Sequence, residues 1–269
     1  MKLKEIYPLF DELAPKRYSD EFCDKYGAYD NSGILVNTGD EITGVLFALD
    51  LTRKAIETAV EKGYNLIVTH HPAIYAKLGA LEEDQPSGNI LRCIKHGISV
   101  VSMHLNLDVA KGGIDESLSC AVAECVGATK RNEKGMLNFS DDGVYYGRVY
   151  KLSKEVSLES LRENLTKTLQ AKSVYGFGES EKPVSCVASF CGAGADEDAI
   201  DFAYQNGADT VVSSDFKHHV ILSALEKGMR IIAPTHYATE NYGFQKYYEK
   251  MKKQRPGIPC GYLEDTRLL

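Results

Sequence analysis

The sequence predicts an α/β fold made of two related α/β lobes, intertwined pseudo-repeats, with a small β-α-β segment between them. Three observations carry this expectation. Short β-branched runs bounded by glycine or proline alternate with amphipathic stretches of helical spacing, the mark of βαβ units. The pattern then recurs: Ala55-Ile56-x-x-Ala59-x-x-x-Gly63 is echoed by Ala199-Ile200-x-x-Ala203-x-x-x-Gly207, and Leu66-Ile67-Val68-Thr69 by Thr210-Val211-Val212-Ser213. Finally, an apolar strand in each copy runs into a histidine with an acid four residues on, His104-x-x-x-Asp108 and His236-x-x-x-Glu240.

Taken in order, Ile6, Leu9, Phe10 and Leu13 sit at helical spacing, and Ala14-Pro15 breaks the run. Asp30-Asn31-Ser32-Gly33 is a turn cluster. Gly44 to Leu49 reads as a buried strand, with Asp50 placed to cap the helix Thr52 to Lys62. Asn65 to Val68 is the next strand, closed by His70-His71-Pro72. A helix from Asn89 to His96 leads to the strand Ile98 to Met103, and Ile114 to Cys125 is helical. In the middle, Tyr145 to Leu152 alternates like a half-wet strand, Ser157 to Gln170 is an amphipathic helix, and Ser173 to Gly178 is a short strand. The second copy follows, with a helix from His218-His219 to Leu225 and a strand at Ile231-Ile232. The segments expected are 1–128, a first lobe with His70-His71 and His104/Asp108; 129–184, a β-α-β insert; and 185–269, a second lobe with His236/Glu240.

Composition narrows the class. With 269 residues, 43% hydrophobic and 26% charged, the chain can bury a full core. A formal net charge of −7 argues against a nucleic-acid surface, which needs clustered Lys and Arg. No run is long enough for a membrane span, and Met1-Lys2-Leu3-Lys4-Glu5 has no apolar signal core, so a cytoplasmic protein is expected. Seven cysteines without a Cys-x-x-Cys pair read as reduced core residues.

The histidines carry the chemistry. Six of the seven fall at or beyond the ends of apolar strands: His70-His71, His104, and His218-His219 with His236. Ligands of open α/β sheets bind there. Adjacent residues of a strand face opposite ways, so His70 and His71 can share a site only by lying in the loop past the strand end. If Glu240 lies in a helix, the spacing of four puts it on the face of His236. Mixed imidazole and carboxylate ligation suits zinc, manganese, iron or nickel. Five or six such donors exceed what one catalytic ion needs, which points to two divalent ions sharing a carboxylate.

Five motifs follow in order: Asp30-Asn31-Ser32-Gly33; Ala48-Leu49-Asp50-Leu51-Thr52; Thr69-His70-His71-Pro72; His104-x-Asn106-x-Asp108 with Gly112-Gly113; and His236-Tyr237-Ala238-Thr239-Glu240. Together they resemble the Nif-three-like family, also known as GTP cyclohydrolase 1 type 2 homologues, over nearly the whole chain. Two positions depart from its pattern, Tyr29 before Asp30-Asn31 and Ser32 where an apolar residue is usual. The resemblance implies a dinuclear metal site held by His70, His71, Asp108, His236 and Glu240, with Glu240 the bridge. It places His104 close to the metals, for supporting or acid–base work. It also implies a toroidal homohexamer acting on a small molecule, as a GTP cyclohydrolase-type hydrolase or a dinuclear phosphoesterase. The alternative is a metal-binding ring that docks a partner without turnover.

Overall fold

The computed structural model describes residues 1–39, 41–179, 181–254 and 257–269. In chain order its elements are α1 (Leu3–Leu13), α2 (Lys16–Tyr26), β1 (Gly33–Val36), β2 (Val45–Ala48), α3 (Arg53–Lys62), β3 (Leu66–Thr69), α4 (Gly88–Lys95), β4 (Ser99–Ser102), α5 (Leu105–Val109) and α6 (Ile114–Glu124). There follow β5 (Lys130–Asn138), β6 (Tyr145–Val156), α7 (Leu158–Thr168), β7 (Tyr175–Phe177), β8 (Val184–Ser189), α8 (Glu197–Gln205), β9 (Thr210–Val212), α9 (His218–Glu226), β10 (Arg230–Ala233), α10 (His236–Gln254) and β11 (Cys260–Leu263). They form two compact units, Met1–Lys111 with Phe244–Glu264, and Gly112–Gly243 with Asp265–Leu269.

The first unit holds a five-stranded sheet ordered β1-β4-β3-β2-β11. β2, β3, β4 and β11 run parallel, and β1 is antiparallel to β4. The register pairs Ala48 with Thr69 and Thr69 with Ser102, so three strands end level. Whatever follows each strand therefore emerges at one carboxyl edge. Alternation sorts the core. Leu46, Ala48, Ile67 and Val100 pack with Ala55, Ile56 and Ala59 of α3 and Ile90 and Cys93 of α4. Phe47, pointing the other way, meets Phe10, Phe244, Tyr247 and Tyr248. The cap of α3 is Thr52, whose hydroxyl accepts from the Ala55 amide at 3.1 Å. Asp50, expected as that cap, is bonded elsewhere.

In the second unit the sheet runs β5-β6-β8-β9-β10-β7, with β8, β9 and β10 parallel and also level, Ser189 to Val212 to Ile232. Its core joins Ala188, Val211 and Ile231 to Ala199, Ile200 and Ala203 of α8 and Val220 and Ala224 of α9. Each unit thus contains the succession β-α-β-α-β with its strands side by side in chain order, which is the repeat anticipated from the sequence. Residues 129–184 supply three strands, β5 and β6 on one side of this core and β7 on the other. β6 pairs antiparallel with β8, and β7 with β10, so the segment extends the second unit's sheet and is not a layer of its own. β5 was not anticipated. It is a polar edge strand, Lys130-Arg131-Asn132-Glu133-Lys134, without a single fully buried residue. No helix among the described residues is long and apolar enough to cross a membrane.

A buried charge network fastens this unit. Asp115, fully buried in the first turn of α6, accepts from Arg148 Nε at 2.8 Å, the Gly147 amide at 3.2 Å and the Cys191 amide at 3.3 Å. Arg148 also binds Glu133 at 2.8 Å, and Lys130 does so at 2.6 Å. Burial alone would raise the Glu133 pKa, but Lys130, the Tyr145 hydroxyl and Arg148 outweigh it and hold the carboxyl below its ordinary value of 4.5. A lowered folded-state pKa adds stability above the unfolded value and loses it as pH falls through the folded one. Glu133→Gln is therefore expected to cost about 1–3 kcal/mol at pH 7. It should also flatten the loss of stability on acidification below 4.5. Denaturant unfolding at pH 7 and pH 4 reads both effects.

Candidate metal centre

The loop after β3 solves the geometric problem of two adjacent histidines. The amides of His70 and His71 both donate to the carbonyl of Leu49, at 3.1 and 3.0 Å, which turns the chain sharply at the strand end. Both rings then face one place. Their centroids lie 5.0 Å apart, and that of His104 lies 5.1 Å from His70 and 5.9 Å from His71. One ligand atom from each of the three falls within 4.8 Å of the others.

Each ring is held by its Nδ1. His70 Nδ1 donates to the Met103 carbonyl at 2.8 Å, His71 Nδ1 to Asp50 at 2.7 Å, and His104 Nδ1 to Asp30 at 2.7 Å. A carbonyl or ionised carboxylate only accepts, so the proton sits on Nδ1 and Nε2 keeps its lone pair whenever the ring is neutral. That is the tautomer a metal ligand needs, with the orienting acceptor already in place. Asp108, in the first turn of α5, brings Oδ1 to 3.5 Å from His70 Nε2. His70 is fully buried and Asp108 nearly so.

Asp30 is the most constrained carboxylate of this cluster. Its Oδ2 accepts from Ser19 Oγ and Ser32 Oγ at 2.5 Å each and from the Ser32 amide at 3.2 Å. Burial would raise its pKa, but His104 and the serines outweigh burial and hold it far below the usual carboxylate range. For His104, burial would lower the pKa, and Asp30 with Asp108 raises it instead. Ser32 thus helps to pin the acid behind His104.

The second unit carries a matching pair. His236, at the start of α10, donates from Nδ1 to Asp215 at 2.6 Å, and its Nε2 lies 3.0 Å from Glu240 Oε1, one helical turn on. Asp215 follows β9 as Asp50 follows β2, and its φ is +52°. Gly192, just past β8, makes room for this pair. Its carbonyl takes the Ser213 and Ser214 hydroxyls at 3.1 and 2.6 Å, and its amide donates to Thr239 Oγ1 at 3.1 Å. His218 and His219 are exposed at the start of α9, with His219 4.0 Å from Glu197, and His96 is exposed at the end of α4.

So within the first unit the structure gathers His70, His71, His104 and Asp108, and within the second His236 and Glu240. The sequence reading missed Asp50, Asp215 and Gly192. The two aspartates carried one usable signal: each lies two or three residues past a buried strand, ahead of the next helix of a repeat.

Imidazoles with preset tautomers beside carboxylates, at the strand ends of a doubled α/β fold, define a protein with side-chain groups that could hold a divalent metal. The Duf34/NIF3 (NGG1p interacting factor 3) family matches residues 1–261, and the chain belongs to that family. A relative in Clostridium perfringens, named GTP cyclohydrolase 1 type 2 homolog, is 30% identical over 94% of this chain and 92% of its own length. Among solved structures, reduced HcgD from Methanocaldococcus jannaschii is 27% identical with a TM-score of 0.78, over 98% of each chain. A Staphylococcus aureus protein has the same fold, with a TM-score of 0.83 at 24% identity, over 100% of this chain and 98% of its own.

Gly192 gives a direct test of the Glu240 geometry. Its φ is +55°, and an added Cβ would sit 2.3 Å from Glu240 Oε1 and 3.3 Å from His236 Cε1. Gly207 has φ +76° with nothing within 4 Å of a Cβ. Gly207→Ala should cost only the left-handed strain, about 1–2 kcal/mol. Gly192→Ala should cost more, because the buried carboxylate must move. Thermal unfolding of the two variants side by side measures the difference.

Proposed function

We propose that this chain is a dinuclear metal-dependent hydrolase acting on a nucleotide-like, cyclic amide or phosphate substrate. The observation that carries the reading is the oxygen acceptor on the Nδ1 of His70, His71, His104 and His236 alike, Met103, Asp50, Asp30 and Asp215 in turn. Metal-ligating histidines donate their other ring N–H to a carboxylate or carbonyl, which fixes the tautomer that presents Nε2. The residues that would hold the ions are His70, His71, Asp108, His236 and Glu240. The donor set of imidazole and carboxylate fits zinc, manganese, iron or nickel and is unlike the all-oxygen shell of calcium.

When bound, such ions supply Lewis acidity toward the electrophile and lower the pKa of water. The chain's own residues do the rest. Asp30 keeps His104 oriented and favours its protonated form, so that His104 delivers a proton to the leaving group and takes one back. Asp50 and Asp215 hold their histidines against rotation. The name of the C. perfringens relative supports ring opening of GTP as the specific reaction, and phosphoester hydrolysis is the neighbouring chemistry. The family resemblance further supports a cytoplasmic homohexameric ring working on a small molecule. A second reading, a metal-binding ring that docks a partner without turnover, is favoured by the family's description as an interacting factor.

Metal content per chain, by plasma mass spectrometry on untagged protein, is expected near two, and near zero in the His70→Ala, Glu240→Ala double variant. Turnover of a phosphate or cyclic-amide panel with added manganese, zinc or nickel should fall at least about 100-fold in Asp108→Asn and in Glu240→Gln. No metal uptake overturns the site. Two ions without turnover of any substrate overturns the hydrolase and leaves the docking ring.

A further inference from the structure

The acceptors on Nδ1 settle how the rings of His71 and His236 point, and a second set of bonds fastens the main chain that carries them. Packing alone does not hold these two residues. Their side chains are 28% and 33% exposed, whereas that of His70 is wholly buried. In each unit a buried threonine stands behind the histidine. Thr69 Oγ1 donates to the His71 carbonyl at 2.8 Å, and Thr239 Oγ1 donates to the His236 carbonyl at 2.7 Å. Neither threonine is exposed.

The direction of the bonds follows from the partners. A carbonyl only accepts, so each threonine has its proton committed and its oxygen left to accept. Thr69 Oγ1 then takes the hydroxyl proton of Ser102, 2.8 Å away, and Ser102 Oγ takes the Ala73 amide at 3.1 Å. This chain of bonds, Ala73 to Ser102 to Thr69 to His71, begins and ends in one turn and closes it across the ends of β3 and β4. The turn needs such a fastening, because Pro72 has no amide hydrogen to give. In the second unit the Gly192 amide, just past β8, donates to Thr239 Oγ1 at 3.1 Å. Thr69 ends a strand two residues before its histidine, and Thr239 lies in a helix three residues after. The arrangement is therefore not a relic of the repeat: two unrelated positions serve the same group, a histidine carbonyl.

We propose that Thr69 and Thr239 are positioning residues. Each hydroxyl ties the main chain of a metal-binding histidine to the end of a neighbouring strand, so that the imidazole is in place before an ion arrives. This rests on the metal reading of His71 and His236. A preset donor spares the incoming ion the cost of ordering its ligand, and groups that hold ligands in this way carry about ten- to a hundredfold in metal affinity.

Valine keeps the shape of threonine and removes the hydroxyl, and serine keeps the hydroxyl. Zinc affinity, read by competition with a chromophoric chelator, is expected to fall about tenfold or more in Thr69→Val and in Thr239→Val. It should return to near the wild-type value in Thr69→Ser and Thr239→Ser. Thr210 supplies the control: it is equally buried, and its hydroxyl donates to Asp209 Oδ1 at 2.8 Å at the amino end of β9. Thr210→Val should lower the melting temperature and leave zinc affinity unchanged. In metal-free protein, hydrogen exchange followed by mass spectrometry should quicken over residues 70–74 in Thr69→Val and not in Thr69→Ser. Full zinc affinity in both valine variants, no recovery with serine, or an equal loss in Thr210→Val overturns the positioning role. Wild-type protein that takes up no zinc overturns the metal reading instead, and the exchange rates, read without metal, then decide alone whether Thr69 holds the turn.

Discussion

The interaction that orders the histidines of both units is the hydrogen bond from Nδ1 to a fixed oxygen. It occurs four times, at His70, His71, His104 and His236, with distances between 2.6 and 2.8 Å. Each bond settles a tautomer and a ring orientation. None is local in sequence: the acceptors lie 33, 21, 74 and 21 residues away. Forming them requires the sheets to be in register first, because the level ends of β2, β3 and β4 bring Asp50, His71 and His104 to one edge. Fold and site are in this sense one construction.

Both units set an acid and a histidine past the ends of neighbouring parallel strands, although the acid follows the first strand of the repeat in one unit and the second in the other. An acid follows a strand, Asp50 in one and Asp215 in the other, and a histidine follows a neighbouring strand. The copies have drifted apart in detail. His104 precedes a helix of five residues that carries Asp108, whereas His236 opens one of nineteen residues that carries Glu240.

Much of this was legible in the sequence. Period and punctuation marked the parallel strands and their helices, and the histidines at strand ends marked side chains that the fold gathers into groups that could hold a metal. Long-range acceptors were not legible. Asp50 sits in a good position to cap α3, and only the folded chain decides that Thr52 caps it and Asp50 turns to His71. Gly192 lacks any signature beyond being a glycine, since its meaning is the space a carboxylate occupies. β5 escaped because an edge strand facing water has no apolar period to detect. No boundary falls at 184 because β6 and β7 are stitched into the sheet of β8 and β10, and Phe244–Glu264 belongs to the first unit, where β11 pairs with β2.

The carboxylate of Asp30 has a further consequence. It receives four donors, from His104, Ser19 and twice from Ser32, about as many as an ionised carboxylate has lone-pair sites. With its side chain 1% exposed, it has neither capacity nor access for water. The Nδ1 side of His104 is therefore a dead end for protons. Proton traffic through this imidazole is left to Nε2.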